Sequence, residues 1–155
     1  DLIIGHHAHI LKGVEIYKGK YILHGLGHFT NVLDHGMGKD KAPEEAAKFM
    51  YNFKCDHGGP FFLNADATEV PFPISDENGV PIENLSMIVK AHVKDKKITR
   101  VSCLPVLIRK DGKPEVQTAD SEYGQKIFNF VRNSTTGAFL NAKFAWDGDE
   151  IVIYE

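Results

Sequence analysis

Hydrophobic and polar positions alternate in short blocks along most of this chain, with glycine, proline or aspartate at the block ends. Leu2-Ile3-Ile4 is an apolar run stopped by Gly5, the pattern of a buried strand ending at a loop. Val14-Glu15-Ile16-Tyr17 and Tyr21-Ile22-Leu23 flank Lys18-Gly19-Lys20, which predicts a tight hairpin. Met87, Val89, Ala91 and Val93 alternate with more polar neighbours, and Asp95-Lys96-Lys97 turns. Ile98 to Ile108 then continues as a strand with an edge or bulge at Pro105. Leu140, Ala142, Phe144 and Trp146 alternate toward Asp147-Gly148-Asp149, and Ile151 to Tyr154 returns as a closing hairpin. Helical spacing occurs twice. Pro43-Glu44-Glu45 opens a short helix bearing Ala46, Phe49, Met50 and Phe53, and Asp120 is placed to cap a second with Tyr123, Ile127, Phe130 and Val131 on one face and Arg132 at its end. The stretch from Asp34 to Ala42 reads as a surface loop, and Cys55 to Asn84, rich in proline, glycine and aromatics, as an ordered excursion.

About seven strands, two helices and no internal repeat predict a sheet-rich, mixed α/β (α+β) class. No linker composition divides residues 1–155, so a single domain or a fragment of one is expected. With 155 residues and 43% hydrophobic content the chain can build a core. A net charge of -3 and a pI near 6.2, with no lysine or arginine patch along the sequence, argue against nucleic acid as a partner. No apolar run approaches the ~20 residues of a membrane span. The chain opens on Asp1, already inside a strand, so any leader or membrane anchor is expected only upstream of it. Cys55 and Cys103 form no C-x-x-C pair, leaving a disulfide or two buried thiols as the alternatives.

The chemistry concentrates in Gly5-His6-His7-Ala8-His9. On an extended backbone His7 and His9 share a side and His6 faces away, so the first two are the favoured metal ligands. Neutral imidazole suits zinc, manganese or iron. A hydrolytic dimetal centre also needs carboxylates, and the acids Glu15, Asp34, Asp56 and Asp66 occur singly, with Glu15 expected to face a hairpin partner or solvent. Among the other histidines, His28 ranks first as a supporting donor because Gly25 and Gly27 allow a close backbone approach. His24, His35 and His57 lie in or beside turns, and His92 reads as structural. No G-x-S-x-G elbow or Cys-His arrangement points to covalent catalysis, and Gly36-Met37-Gly38-Lys39 lacks the spacing of a phosphate loop.

The blocks Asp1 to His9, Gly13-Val14-Glu15-Ile16-Tyr17 and Gly25-Leu26-Gly27-His28-Phe29, in this order, resemble the bacterial capsule-synthesis CapA family, linked to poly-γ-glutamate capsule. Leu104-Pro105-Val106, Asp111-Gly112-Lys113-Pro114 and Asp147 to Ile151 look like weaker marks of the same family's tail. That family is similar to calcineurin-like metallophosphoesterases, which implies a layered α/β sandwich and a G-H-x-H motif whose histidines bind metal. The extra histidine here lets either His7 with His9 or His6 with His9 match that pair. Ala8 stands where the family has proline, and His28 where it has asparagine. The family's earlier blocks, which in metallophosphoesterases supply the D-x-H, G-D and G-N-H ligands, do not occur in the chain. The resemblance therefore implies the C-terminal part of a cell-surface or extracellular protein with a divalent metal (Mn, Fe or Zn), inactive alone, whose substrate is a phosphoester or whose contact is capsule polymer. The alternative is a non-catalytic module that contacts the polymer or a synthase partner. An edge left bare beside Leu2 to Ile4 is expected to favour self-association.

Overall fold

In the computed structural model, residues 2–29, 78, 80, 82–109 and 112–155 are described. The chain divides into two units, Asp1–Asn31 with Glu83–Glu155, and Val32–Ile82. All the described strands and the α-helix belong to the first. The helix expected after Pro43, the loop from Asp34, most of the excursion from Cys55, and Cys55, His35, His57, Asp34, Asp56 and Asp66 lie outside the described residues.

Three strands form the N-terminal sheet: β1 (Leu2–Ile4), β2 (Val14–Tyr17) and β3 (Lys20–Leu23), in the order β1-β3-β2. β2 and β3 are the expected hairpin. Lys18 and Gly19 both take positive φ, 50° and 71°, as a two-residue type I′ turn requires. β1 runs parallel to β3 and is outermost among the described strands of this sheet, and Ile3 and Ile4 are exposed, which corrects the buried strand read from this apolar run.

The second sheet holds β4 (Leu85–Lys94), β5 (Lys97–Ile108), β6 (Pro114–Val116), β7 (Lys143–Asp147) and β8 (Glu150–Tyr154). Its order is β4-β5-β8-β7, with β6 beside the far end of β5. Asp95 and Lys96 repeat the positive-φ turn between β4 and β5. Three details differ from the sequence reading. β6 is an added strand, three residues long and too short to show alternation. The β-bulge falls at His92/Val93 near the turn, not at Pro105. Pro105 is buried within β5, where it stands opposite Met87 and its carbonyl accepts from the Gln117 N–H at 2.8 Å. N–H and C=O of one strand residue point to the same side, so the absent N–H falls where β5 changes partner from β8 (last pair Cys103↔Ile151) to β6 (first pair Val106↔Val116). No bond to β4 is lost.

One α-helix, α1 (Glu122–Gly137), is present among the described residues. Its N-cap is Ser121, whose hydroxyl accepts from the Gly124 N–H at 2.9 Å; Asp120, the expected cap, instead accepts from the Thr118 hydroxyl. Gly124, Ile127, Val131 and Thr135 line its buried face. The helix continues past Arg132 to a Schellman ending, in which the Leu140 N–H reaches the Thr135 carbonyl and the Phe139 N–H that of Thr136, both at 3.0 Å. Phe139 takes the left-handed position at φ 57° and is 97% exposed. Phe139→Gly should therefore raise stability by about 1 kcal/mol, since the backbone strain goes and no burial is lost. A urea midpoint that falls on this change would contradict the strain argument.

The core joins both sheets to the helix: Leu11, Val14, Ile16, Leu23 and Leu26 pack with Met87, Val101, Cys103, Ile127, Val131, Ile151 and Ile153. Phe128 stacks on Trp146 at 5.2 Å. The open side of β2 is closed by side chains from the end of α1 and the turn after it. The Val14 N–H donates to the Thr135 hydroxyl (3.0 Å), and the Asn141 amide exchanges two 2.8 Å bonds with the backbone of Ile16, as a neighbouring strand would. Cys103 is a buried free thiol; burial, with the Glu150 charge adding, pushes it up to about 12. On the opposite face Glu150 accepts from Lys90 and from the Ser102 hydroxyl (2.7 Å), with Arg100 at 3.5 Å. These bonds, Lys90 first, hold its carboxyl below the ordinary range. The described residues thus form a sheet-rich α/β architecture.

Candidate functional site

The site starts where β1 stops. The Gly5 N–H donates to the Leu23 carbonyl at 2.7 Å, and a Cβ on Gly5 would lie 2.5 Å from the His24 carbonyl oxygen, so only glycine passes over the end of β3. The chain does not remain extended after it. The Ala8 N–H turns back to the His6 carbonyl at 2.7 Å, and His7 between them has φ 68°, a γ-turn of the rarer, strained kind. His9 is left-handed as well, at φ 62°. This corrects the strand-based reason for pairing His7 with His9, because two-residue alternation does not operate in a loop with two positive φ values. Ala8 gains meaning from the same bond: a proline there has no N–H to donate.

Tertiary folding nevertheless gathers imidazoles. The His7 and His9 rings are 6.0 Å apart between centroids, and His28 lies 4.8 Å from His9. His7 and His9 lie toward the surface of the loop, and His28 is half-buried. His28 is brought in by the backbone. The Leu11–Leu26 bridge and the bond from Lys12 N–H to the Gly25 carbonyl, 3.0 Å, tie the two loops together. At Gly25 a Cβ would meet the Ile10 carbonyl at 2.9 Å, and at Gly27, with φ 77°, the Leu85 carbonyl at 2.7 Å. The close approach expected of these glycines is thus present at both, and the unusual dihedral at Gly27. The Ser86 hydroxyl of β4 completes the clamp, bonded to the carbonyls of Leu26 (3.0 Å) and His28. Ser86 was not legible in the sequence, since it stands 58 residues from His28 and carries no motif.

The other candidates are dispersed. His6 lines a groove of about 310 Å³ with Ile4, Leu26, Gly27, Phe29 and Ser86. His24 pairs with Glu15 across the hairpin at 3.4 Å, which gives Glu15 the hairpin partner expected of it. His92 is exposed on the β4–β5 hairpin. Lys12, beside Gly25, has its ammonium pushed down by burial.

Imidazole nitrogens bind metals at about 2.0–2.1 Å, which puts the ring centroids of two ligands on one ion roughly 4.5–6.5 Å apart. The His7–His9 separation falls in that range and the His9–His28 separation at its lower margin. The donor set is incomplete, because no group of three or more His, Cys, Asp or Glu able to hold an ion occurs among the described residues.

A histidine-rich loop clamped onto a sheet-rich α/β scaffold is thus the class this structure defines. The model of the bacterial capsule synthesis protein family PGA_cap matches residues 1–32, the segment that carries the histidine loop and the Gly25–His28 turn. The "PGA biosynthesis protein CapA" of Bacillus subtilis (strain 168) is 28% identical over 95 residues, 61% of this chain and 22% of that protein. The "Capsule biosynthesis protein CapA" of Bacillus anthracis is 27% identical over 117 residues, 76% of this chain and 25% of that protein. The chain is thus similar to bacterial capsule synthesis proteins of the CapA type, with the family match confined to its first 32 residues. The chain spans about a quarter of the length of the relatives it matches.

Proposed function

We propose that this chain supplies the histidine corner of a divalent metal centre in a CapA-type capsule biosynthesis protein at the bacterial cell surface, with His7 and His9 as ligands and His28 supporting them. The observation that carries the reading is the convergence of the three rings on a loop that keeps two non-glycine residues at positive φ. Such strain persists only where surrounding structure holds it, and it concentrates at functional sites. His6, turned into the groove, is the less suitable partner for His9. A bound Mn, Fe or Zn ion supplies Lewis acidity for phosphoester hydrolysis. The chain's own part is to present imidazoles from a loop fixed at Gly5, Gly25 and Gly27. The described residues supply no group of three or more ligating side chains, and the D-x-H and G-N-H blocks do not occur in the sequence, which supports a chain that turns over no phosphoester by itself.

The test is metal content. The longer protein that carries this segment should retain a divalent ion through gel filtration and lose it when His7 and His9 are both changed to Ala, with its circular dichroism unchanged. Equal metal in both proteins would overturn the metal reading, and phosphoesterase turnover by the 155-residue chain would overturn its incompleteness. The second reading is a non-catalytic binding or assembly module for capsule polymer or a synthase partner, favoured by the exposure of His7 and His9 and by the lack, among the described residues, of any group of three or more ligating side chains. Under that reading the bare edge of β1 is a place for strand addition, by a partner or a second copy.

A further inference from the structure

The hairpin of β4 and β5 continues well beyond the sheet it belongs to. β8 pairs with β5 only from Val101 to Cys103, so from Arg100 to the turn β5 has β4 as its one partner among the described strands. The ribbon of residues 91–100 is exposed along nearly its whole length. Along the sequence its charges look scattered, but the pairing register collects them. Residues 90–100 hold Lys90, Lys94, Lys96, Lys97 and Arg100 against the single acid Asp95, in a chain of net charge -3. This corrects the expectation that no basic patch forms. Register places His92 opposite Arg100 and Lys94 opposite Lys97. The bulge, which leaves Thr99 unpaired, keeps both pairs on the face that carries Lys90. The other face carries Ala91 and the pair Val93 and Ile98, and Val93 is 66% exposed at the projecting end.

The two halves of the basic stripe differ. Lys90 and Arg100 are engaged by Glu150, and Arg100 by Asp147 as well, at 2.8 Å. Lys94, Lys96 and Lys97 at the tip have no ion pair among the described residues. A tip that combines unpaired lysines with an exposed branched aliphatic side chain matches a surface with negative charge outside and hydrocarbon beneath. Lysine stems lie along apolar material while their ammonium groups stay among the headgroups. A soluble polyanion would use the lysines and leave Val93 in water.

We propose that the Ala91–Arg100 ribbon docks the protein on an anionic lipid surface, with Lys94, Lys96 and Lys97 contacting headgroups and Val93 entering the interface. This goes beyond the metal reading and depends on none of its histidines. Cosedimentation of the 155-residue chain with phosphatidylcholine vesicles, with and without phosphatidylglycerol, tests it. Binding is expected only to the anionic vesicles and should weaken as salt is added. Each lysine near such a surface contributes roughly fivefold in affinity, so joint replacement of Lys94, Lys96 and Lys97 by Gln should cost roughly 100-fold. Val93→Ser should cost severalfold at unchanged salt dependence. Absence of binding to anionic vesicles overturns the proposal, and the unaltered chain and its salt titration suffice for that outcome should a variant fail to fold. Two further results also overturn it. One is vesicle binding unaltered by Val93→Ser while soluble polyglutamate or oligonucleotide displaces the vesicles, which defines a general polyanion surface. The other is self-association of the triple variant with vesicle binding unchanged, which assigns the lysines to guarding the edge of β4.

Discussion

Replacing Ile127 by Ala is expected to lower the unfolding free energy by about 2–5 kcal/mol, a large share of the roughly 5–15 kcal/mol that holds a domain of this size. Ile127 is fully buried in the middle of the inner face of α1, in one core with Val101, Cys103, Ile151 and Ile153. Those neighbours lie on paired strands of a sheet that cannot close over the space a smaller side chain leaves, so most of the cavity cost is retained. The loss should spread to the N-terminal sheet as well, because Thr135, on the same helix face, accepts the Val14 N–H of β2. Urea denaturation followed at the tyrosine and tryptophan bands reads the change. A midpoint displaced by under about 1 kcal/mol, with the slope unaltered, would mean that α1 does not carry the core.

Gly27→Ala is expected to cost about 2–4 kcal/mol and to act on the histidine loop as well as on stability. The left-handed φ of 77° alone disfavours any side chain, and the added methyl would sit 2.7 Å from the Leu85 carbonyl oxygen, a backbone atom fixed at the start of β4. Relief requires the Gly25–His28 segment to lift from β4. The Ser86 hydroxyl then loses the Leu26 and His28 carbonyls, and the His28 ring leaves His9. Metal retention by the longer protein should fall roughly tenfold or more, the usual effect of losing a supporting partner. Gly19→Ala is the control. It too has positive φ, but open space surrounds it, so it should lower stability by about 1 kcal/mol and leave metal content untouched. Equal metal loss in both variants would separate His28 placement from metal binding and remove His28 from the site.

Much of this architecture is local and was legible without coordinates. Gly19 and Asp95 name their turns because glycine and aspartate tolerate left-handed backbone, and the alternation of Met87 to Val93 and Phe144 to Trp146 names the strands beside them. Local signals failed where two residues compete for one role. Asp120 and Ser121 are both good N-caps, and the fold gives the Gly124 N–H to the Ser121 hydroxyl while Asp120 is engaged by the Thr118 hydroxyl. They failed again where a bond spans the chain: Thr135 to Val14 and Asn141 to Ile16 terminate β2 from more than 120 residues away.

The histidine run shows the same division. Its composition alone singled out His6, His7 and His9 as candidate ligands, because neutral imidazole is a common metal ligand. The glycines around His28 announced a close approach by their lack of a side chain. Which rings converge was decided by tertiary structure. A γ-turn at His7, a left-handed His9 and a segment clamped by Ser86 set the ring positions, and backbone dihedrals of this kind are imposed by distant contacts that no local periodicity encodes.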